Sequence, residues 1–195
     1  MTTPLLLKAL STYTNEELMQ RIAQKGDDKA FDELYRRHVR RLMGFFFRQM
    51  NRNEDLAADL TQDTFLKVWI NRERWKAGNE FIPWLFAIAC NICKNEYRHC
   101  NYQSEYEEET KLTGTEEMAN DFDKRIDDSI FDQLLKSELS RFAPEARMLF
   151  SLRFEEELQV AQIAEVMGIP EGTVKSRLHT LTNKLKDKFK NYGNI

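Results

Sequence analysis

The chain has 195 residues, 42% of them hydrophobic and 31% charged, with a formal net charge of −3 at pH 7. That composition fits one or two globular domains with real apolar cores. It excludes a surface that is basic throughout, so any attraction to nucleic acid has to come from a local patch.

The opening stretch, MTTPLLLKAL, lacks a basic leader and a long apolar run, so no signal peptide is expected. With Gly (7) and Pro (4) both sparse, helices are favoured over sheets. The first clear helical stripe is Phe31, Leu34, Tyr35, Leu42 and Phe45, with Asp32, Arg36, Arg37, Arg40 and Arg41 on the remaining surface. A second amphipathic helix is predicted from about Glu54 to Trp69, carrying Ala57, Leu60, Thr64 and Val68 on one face. Gly78-Asn79 breaks the pattern. Asn79 is then expected to cap a third helix that tolerates Pro83 in its first turn and turns Trp84, Leu85, Ile88, Ala89 and Ile92 inward. The longest apolar run, Trp84 to Cys90, is too short to span a bilayer.

From Asn101 to Arg125 the character changes: eight acids stand against three bases, and apolar residues are sparse and unperiodic. This segment reads as a solvated acidic linker. Helical signals resume near Ser129, with Ile130, Leu134 and Leu135, and pass to Ala143-Pro144, where Pro suits a first helical turn. Val160, Ile163, Ala164 and Met167 then share one helical face, Gly168 suits the left-handed turn that follows, and Val174, Leu178, Leu181 and Leu185 mark the next helix. Two helices joined by a short Gly-containing turn make a helix-turn-helix, whose second member enters the DNA major groove. Between Thr173 and Lys190 there are six bases and the single acid Asp187, the local patch that the whole-chain charge conceals.

These segments resemble the extracytoplasmic-function (ECF) group of bacterial sigma factors. The resemblance is carried by QIAEVM with GIPEGTVKSRLH, by the stretch from Pro144 to Arg153, and by KAFDELYRRHVRRL, EDLAADLTQDTFLKVW and FIPWLFAIACNICKNEYR, in that family's order. It implies an all-α protein of two small helical domains joined by a flexible acidic linker. Residues 1–100 would bind core polymerase and recognise and melt the −10 element, 101–128 would be the linker, and 129–195 would read the −35 element. The implied partners are RNA polymerase core, promoter DNA, and an anti-sigma protein, membrane-anchored in many relatives; no cofactor, substrate or enzymatic activity is implied. The expected location is the cytoplasm.

The resemblance also assigns residues. Asp59, Gln62 and Asp63, on one helix face, match positions that dock on the clamp coiled coil of the largest polymerase subunit. Asn91, Lys94, Asn95 and Arg98 match the stripe that reads the −10 element, and Trp75, in the preceding loop, is either a stacking platform for an unpaired base or partial core. Trp69 and Trp84 are read as core. Arg153, Thr173, Lys175, Ser176, Arg177 and His179 match −35 contacts, Arg153 and Arg177 as phosphate ligands. The chain departs from many relatives in having Thr180 and Thr182 where Arg is common and Gln159 where Ser is common, which removes two cations and a helix cap. Cys90, Cys93, His99 and Cys100 raise the question of zinc, but all fall in one helix and its end; buried free thiols are the expectation, and no metal. Two rival functions remain: a stand-alone helix-turn-helix regulator, and a metal- or thiol-dependent enzyme or sensor.

Overall fold

The computed structural model describes residues 9–108 and 130–190, with side chains for 9–99 and 134–190. Among the described residues there are eight α-helices and no strand: α1 (Asn15–Lys25), α2 (Asp28–Gln49), α3 (Glu54–Ile70), α4 (Phe81–Glu108), α5 (Ile130–Ser140), α6 (Pro144–Phe150), α7 (Val160–Met167) and α8 (Glu171–Phe189). The all-α expectation holds; the helix predicted from about Glu54 to Trp69 is α3, and the predicted stripes of Phe31–Phe45, Val160–Met167 and Val174–Leu185 fall within α2, α7 and α8.

Local chemistry sets the helix ends. Thr14 and Glu17 form a reciprocal capping box on α1, the Glu17 N–H donating to Thr14 Oγ1 at 3.1 Å and the Thr14 N–H to Glu17 Oε2 at 2.7 Å. Asp27 and Asn53 cap α2 and α3 by accepting the Ala30 and Leu56 N–H groups. The start of α4 is handled differently from the sequence expectation. Asn79 lies one position too early; the Phe81 N–H instead donates to Glu16 Oε1 at 3.0 Å, a cap supplied by α1. At its other end α4 continues to Glu108, past the change in charge pattern at Asn101, because Asn101–Glu108 holds no Gly or Pro to stop it. The rest of the acidic stretch, through residue 129, lies outside the described residues.

Helices α1–α4 enclose an aromatic-rich core. Phe45 and Phe86 meet edge to face at 5.2 Å, Phe31 meets Phe65 at 6.1 Å and Trp69 at 5.2 Å, and Leu18, Ile22, Leu34, Leu42, Ala57 and Val68 are fully buried. In the second unit Pro144 opens α6 as expected, and a π-helical turn, Ser151–Glu155, follows it. The chain then reverses through Glu157, which has φ +59°. Gly168 adopts φ +68° at the end of α7, and the Ile169 N–H bonds back to the Ala164 carbonyl at 3.1 Å, so the left-handed turn is the one the sequence anticipates. The two units are not separate in this structure: α7 packs on α4, and one apolar cluster runs from Leu18 in α1 to Val174 in α8.

Candidate polymerase-docking and promoter-reading surfaces

Asp59, Gln62 and Asp63 are exposed on α3, where buried Leu60, Thr64 and Val68 hold the opposite side of the helix in the core. Beside them runs a groove of about 470 Å³ between α2 and α3, lined by Phe31, Tyr35, Gln62, Phe65, Leu66 and Trp69 and edged by Asp28 and Asp32. Leu66 is 56% exposed and Tyr35 39%. Phe31 and Tyr35, on the stripe of α2, line this groove, half-buried and exposed respectively, and Trp69, read as core, is half-buried in its wall while Phe31 and Trp69 also pack against the core. Leu66 went unremarked because a single apolar residue on a polar face carries no periodic signal. An apolar trough with carboxylates along its edges suits a basic amphipathic helix.

On α4, Asn91, Asn95 and Arg98 are exposed, and Arg98 Nη1 approaches Asn95 Oδ1 at 3.4 Å. The Asn91 amide makes no hydrogen bond to another described residue. Lys94 is half-buried, its Nζ donating to the Met167 carbonyl of α7 at 3.2 Å. Trp75 is only 7% exposed and packs edge to face on Trp84 at 5.4 Å and Phe81 at 6.3 Å, so of the two readings the structure favours core. Stacking on a base would require the ring to leave this cluster. Trp84, its partner, is half-buried.

On α8, Lys175, Ser176, Arg177 and His179 are exposed and Thr173 is half-buried, while Val174, Leu181 and Leu185 face inward. The exposed side chains are only loosely held. Lys175 Nζ is 3.4 Å from Glu171, Ser176 Oγ donates to the Thr173 carbonyl, and a His179 ring nitrogen pairs with the Asn183 amide at 2.9 Å. Arg153 lies outside this set. It is half-buried, and its Nη1 donates to the Leu158 carbonyl at 3.0 Å, closing the loop before α7. The departures noted in the sequence have local consequences. Thr180 and Thr182 donate to carbonyls of their own helix, and at the N-cap of α7 the Gln159 N–H donates to Gln162 Oε1 at 2.7 Å.

Cys90 and Cys93 are buried free thiols. Burial pushes the Cys90 thiol up to about 12 and raises that of Cys93 as well, which keeps both protonated and poor metal ligands or nucleophiles near neutrality. The side chain of Cys100 lies outside the described residues.

The family profile of sigma-70 region 2 matches residues 34–101, and that of sigma-70 region 4 matches residues 132–180. The RNA polymerase sigma factor CarQ of Myxococcus xanthus is 33% identical over 163 residues, covering 83% of this chain and 90% of that protein. The ECF RNA polymerase sigma-E factor of Haemophilus influenzae is 30% identical over 184 residues, covering 90% of this chain and 95% of that protein. In fold, the chain resembles CnrH as solved with the cytosolic domain of CnrY, with a TM-score of 0.67 at 21% identity over 91% of this chain and 97% of that one. It also resembles the sigma factor RpoE of Bartonella quintana solved with the anti-sigma factor NepR, with a TM-score of 0.66 at 22% identity over 83% of this chain and 98% of that one. With both sigma regions present in order and such relatives matched along nearly their whole length, the chain belongs to the extracytoplasmic-function group of RNA polymerase sigma factors.

Proposed function

We propose that this sigma factor divides its work among the three surfaces just described. As a member of the group it binds RNA polymerase core and directs promoter-specific transcription initiation. In our reading, α3 docks on the clamp coiled coil of the largest polymerase subunit, with Asp59 and Asp63 facing basic residues, Gln62 at the edge, and Leu66 and Tyr35 supplying apolar contact. Asn91, Asn95, Arg98 and Lys94 of α4 read the −10 element. Thr173, Lys175, Ser176, Arg177 and His179 of α8 meet the −35 duplex, with Arg153 holding the loop in front of the helix-turn-helix and reaching phosphate from there. The protein acts in the cytoplasm, where the polymerase is; among the described residues no helix is long and apolar enough to cross a membrane. It is a regulatory subunit that performs no chemistry of its own, and an anti-sigma protein is its natural inhibitor, as CnrY-bound CnrH and NepR-bound RpoE suggest.

The observation that carries this reading is the acid-edged groove between α2 and α3, a docking surface that a stand-alone DNA-binding regulator has no use for. Asp59→Arg with Asp63→Arg is expected to abolish association with core while leaving helical content and binding to an isolated −35 duplex unchanged. Wild-type core affinity in the double variant would refute the assignment.

A further inference from the structure

Helix α4 is not capped by the residues that lead into it. Asn79 stands one position too early, and Glu80, next to the first turn, points its carboxylate at Gln162. The place is taken by Glu16 of α1, whose Oε1 accepts the Phe81 N–H at 3.0 Å across 65 positions of sequence. A local cap satisfies an orphan donor but travels with its helix; a cap from another element also fixes where the helix begins. The sigma-70 region 2 match starts at residue 34, so α1 and Glu16 lie outside it.

Glu16 is itself firmly placed. The capping box of Thr14 and Glu17 closes the first turn of α1, and Leu18, Met19 and Ile22 anchor that helix in the core. The chain entering α1 is pinned to α2 by Arg37. Its guanidinium donates to the carbonyls of Leu10, Ser11 and Tyr13 and to Asn15 Oδ1 at 2.9–3.2 Å, while its Nε donates to Glu33 at 2.8 Å. At the receiving end, the Phe81 ring is fully buried and meets His38 of α2 at 5.3 Å, Trp75 of the preceding loop at 6.3 Å and Trp84 at 6.4 Å. Between Asn71 and Glu80 only Trp75 is buried. That loop is therefore held by Trp75 in its middle, by α1 along the turn Arg72–Arg74, and by the Glu16 contact at its far end. Arg74 and Lys76 stand exposed on it, and Gly78 bends it at φ +97°.

We infer that Glu16 is a positioning residue for capture of the unpaired −10 strand, an inference that rests on the −10 role proposed above for α4. Glu16 keeps the first turn of α4 and the loop before it in one arrangement, with the cations Arg74 and Lys76 already in place for the strand's phosphates. Asn91 follows ten residues after Phe81, about 15 Å along the same helix. A strand that meets a preformed loop does not have to order it on binding, and that saving appears as affinity for the unpaired element alone. Neither core docking nor the −35 duplex involves this loop.

The test uses the full chain assembled with polymerase core and two DNA fragments: a −35 duplex, and the same duplex extended into a −10 element with unpaired bases. The quantity read is the gain in affinity from the second element. Glu16→Ala should cut that gain roughly fivefold, the scale of a lost helix cap, with core and −35 affinity unchanged. Glu16→Gln should restore most of it, because the amide oxygen still accepts the Phe81 N–H. Glu16→Asp keeps the charge but withdraws the oxygen by one methylene, so it should behave as Ala does. Amide exchange at Phe81 in the free chain reads the contact directly: faster in the Ala and Asp variants, close to wild type in Gln. An unchanged gain in Glu16→Ala, a Gln variant no better than Ala, or an equal loss on the −35 duplex would overturn the positioning role and leave Glu16 a stability cap. Asn91→Ala, run beside these variants, separates the two readings. A gain lost in Asn91→Ala but kept in Glu16→Ala overturns the role of Glu16 alone; a gain kept in Asn91→Ala removes the −10 role of α4, and the role of Glu16 with it.

Discussion

Acid should loosen the first unit at one identifiable residue, His38. Its ring is 7% exposed, lies 5.3 Å from Phe81, and its Nε2 finds no hydrogen-bond partner. Burial holds its pKa down to about 4, with Arg41 and Arg37 pushing the same way and Glu16 opposing. The unfolded chain takes up a proton near the ordinary value of about 6.5. Between those values the unfolded state binds more protons than the folded one. The stability contributed by neutral His38 is therefore complete above the unfolded value and is lost as pH falls toward the folded one. At pH 5 the loss amounts to about 2 kcal/mol, approaching about 3 kcal/mol below pH 4. The carboxylates Asp27 and Glu33 depart in a lower window. Hydrogen bonds from Arg21 hold Asp27 below its usual range, and those from Arg36 and Arg37 hold Glu33 at about 2, so their contributions are present above the unfolded carboxylate value and lost only as pH falls through the folded one. Urea unfolding at pH 8, 6.5 and 5 measures the effect, with His38→Leu as the variant that cannot titrate. The wild type should lose about 2 kcal/mol relative to the variant across that range. Parallel loss in the two proteins, or a His38 imidazole that titrates near 6.5 by NMR, would show that burial is not the controlling factor.

Two further outcomes concern the reading surfaces. Because Asn91 is exposed and bonds no other described residue, Asn91→Ala should leave the melting temperature unchanged and relax −10 preference at one base by about 1–3 kcal/mol of discrimination; selection from randomised −10 elements beside a thermal melt checks both. Lys175 is an exposed point charge 3.4 Å from Glu171, so Lys175→Ala should weaken −35 duplex binding almost uniformly across sequences and make the salt slope shallower by roughly one unit, as a salt titration by anisotropy would read.

The helices were legible wherever periodicity and turn chemistry agreed: α3 with its buried Ala57, Leu60, Thr64 and Val68, and the α7–Gly168–α8 turn. Helix α1 was missed although Thr14-x-x-Glu17 is a capping-box signature, because the apolar stripe that drew attention begins only at Phe31. The groove between α2 and α3 left no mark in the sequence for a physical reason. A helical stripe tells which residues leave water, but an open trough and a closed core share the same spacing, and only the packing of a neighbouring helix separates them. The cap from Glu16 to Phe81 and the pairing of Arg41 and Arg48 with Glu156 had no signal at all. Each joins residues far apart in the chain, and Arg41 stands on the polar surface of its helical stripe.

The apolar cluster that runs unbroken from α1 to α8 also has a thermal consequence. Two units that share one core unfold as one, so the free protein should show a single calorimetric transition whose enthalpy matches the van't Hoff value. Parting α4 from α7 wets apolar surface and so raises the heat capacity, and burial of that kind weakens on cooling.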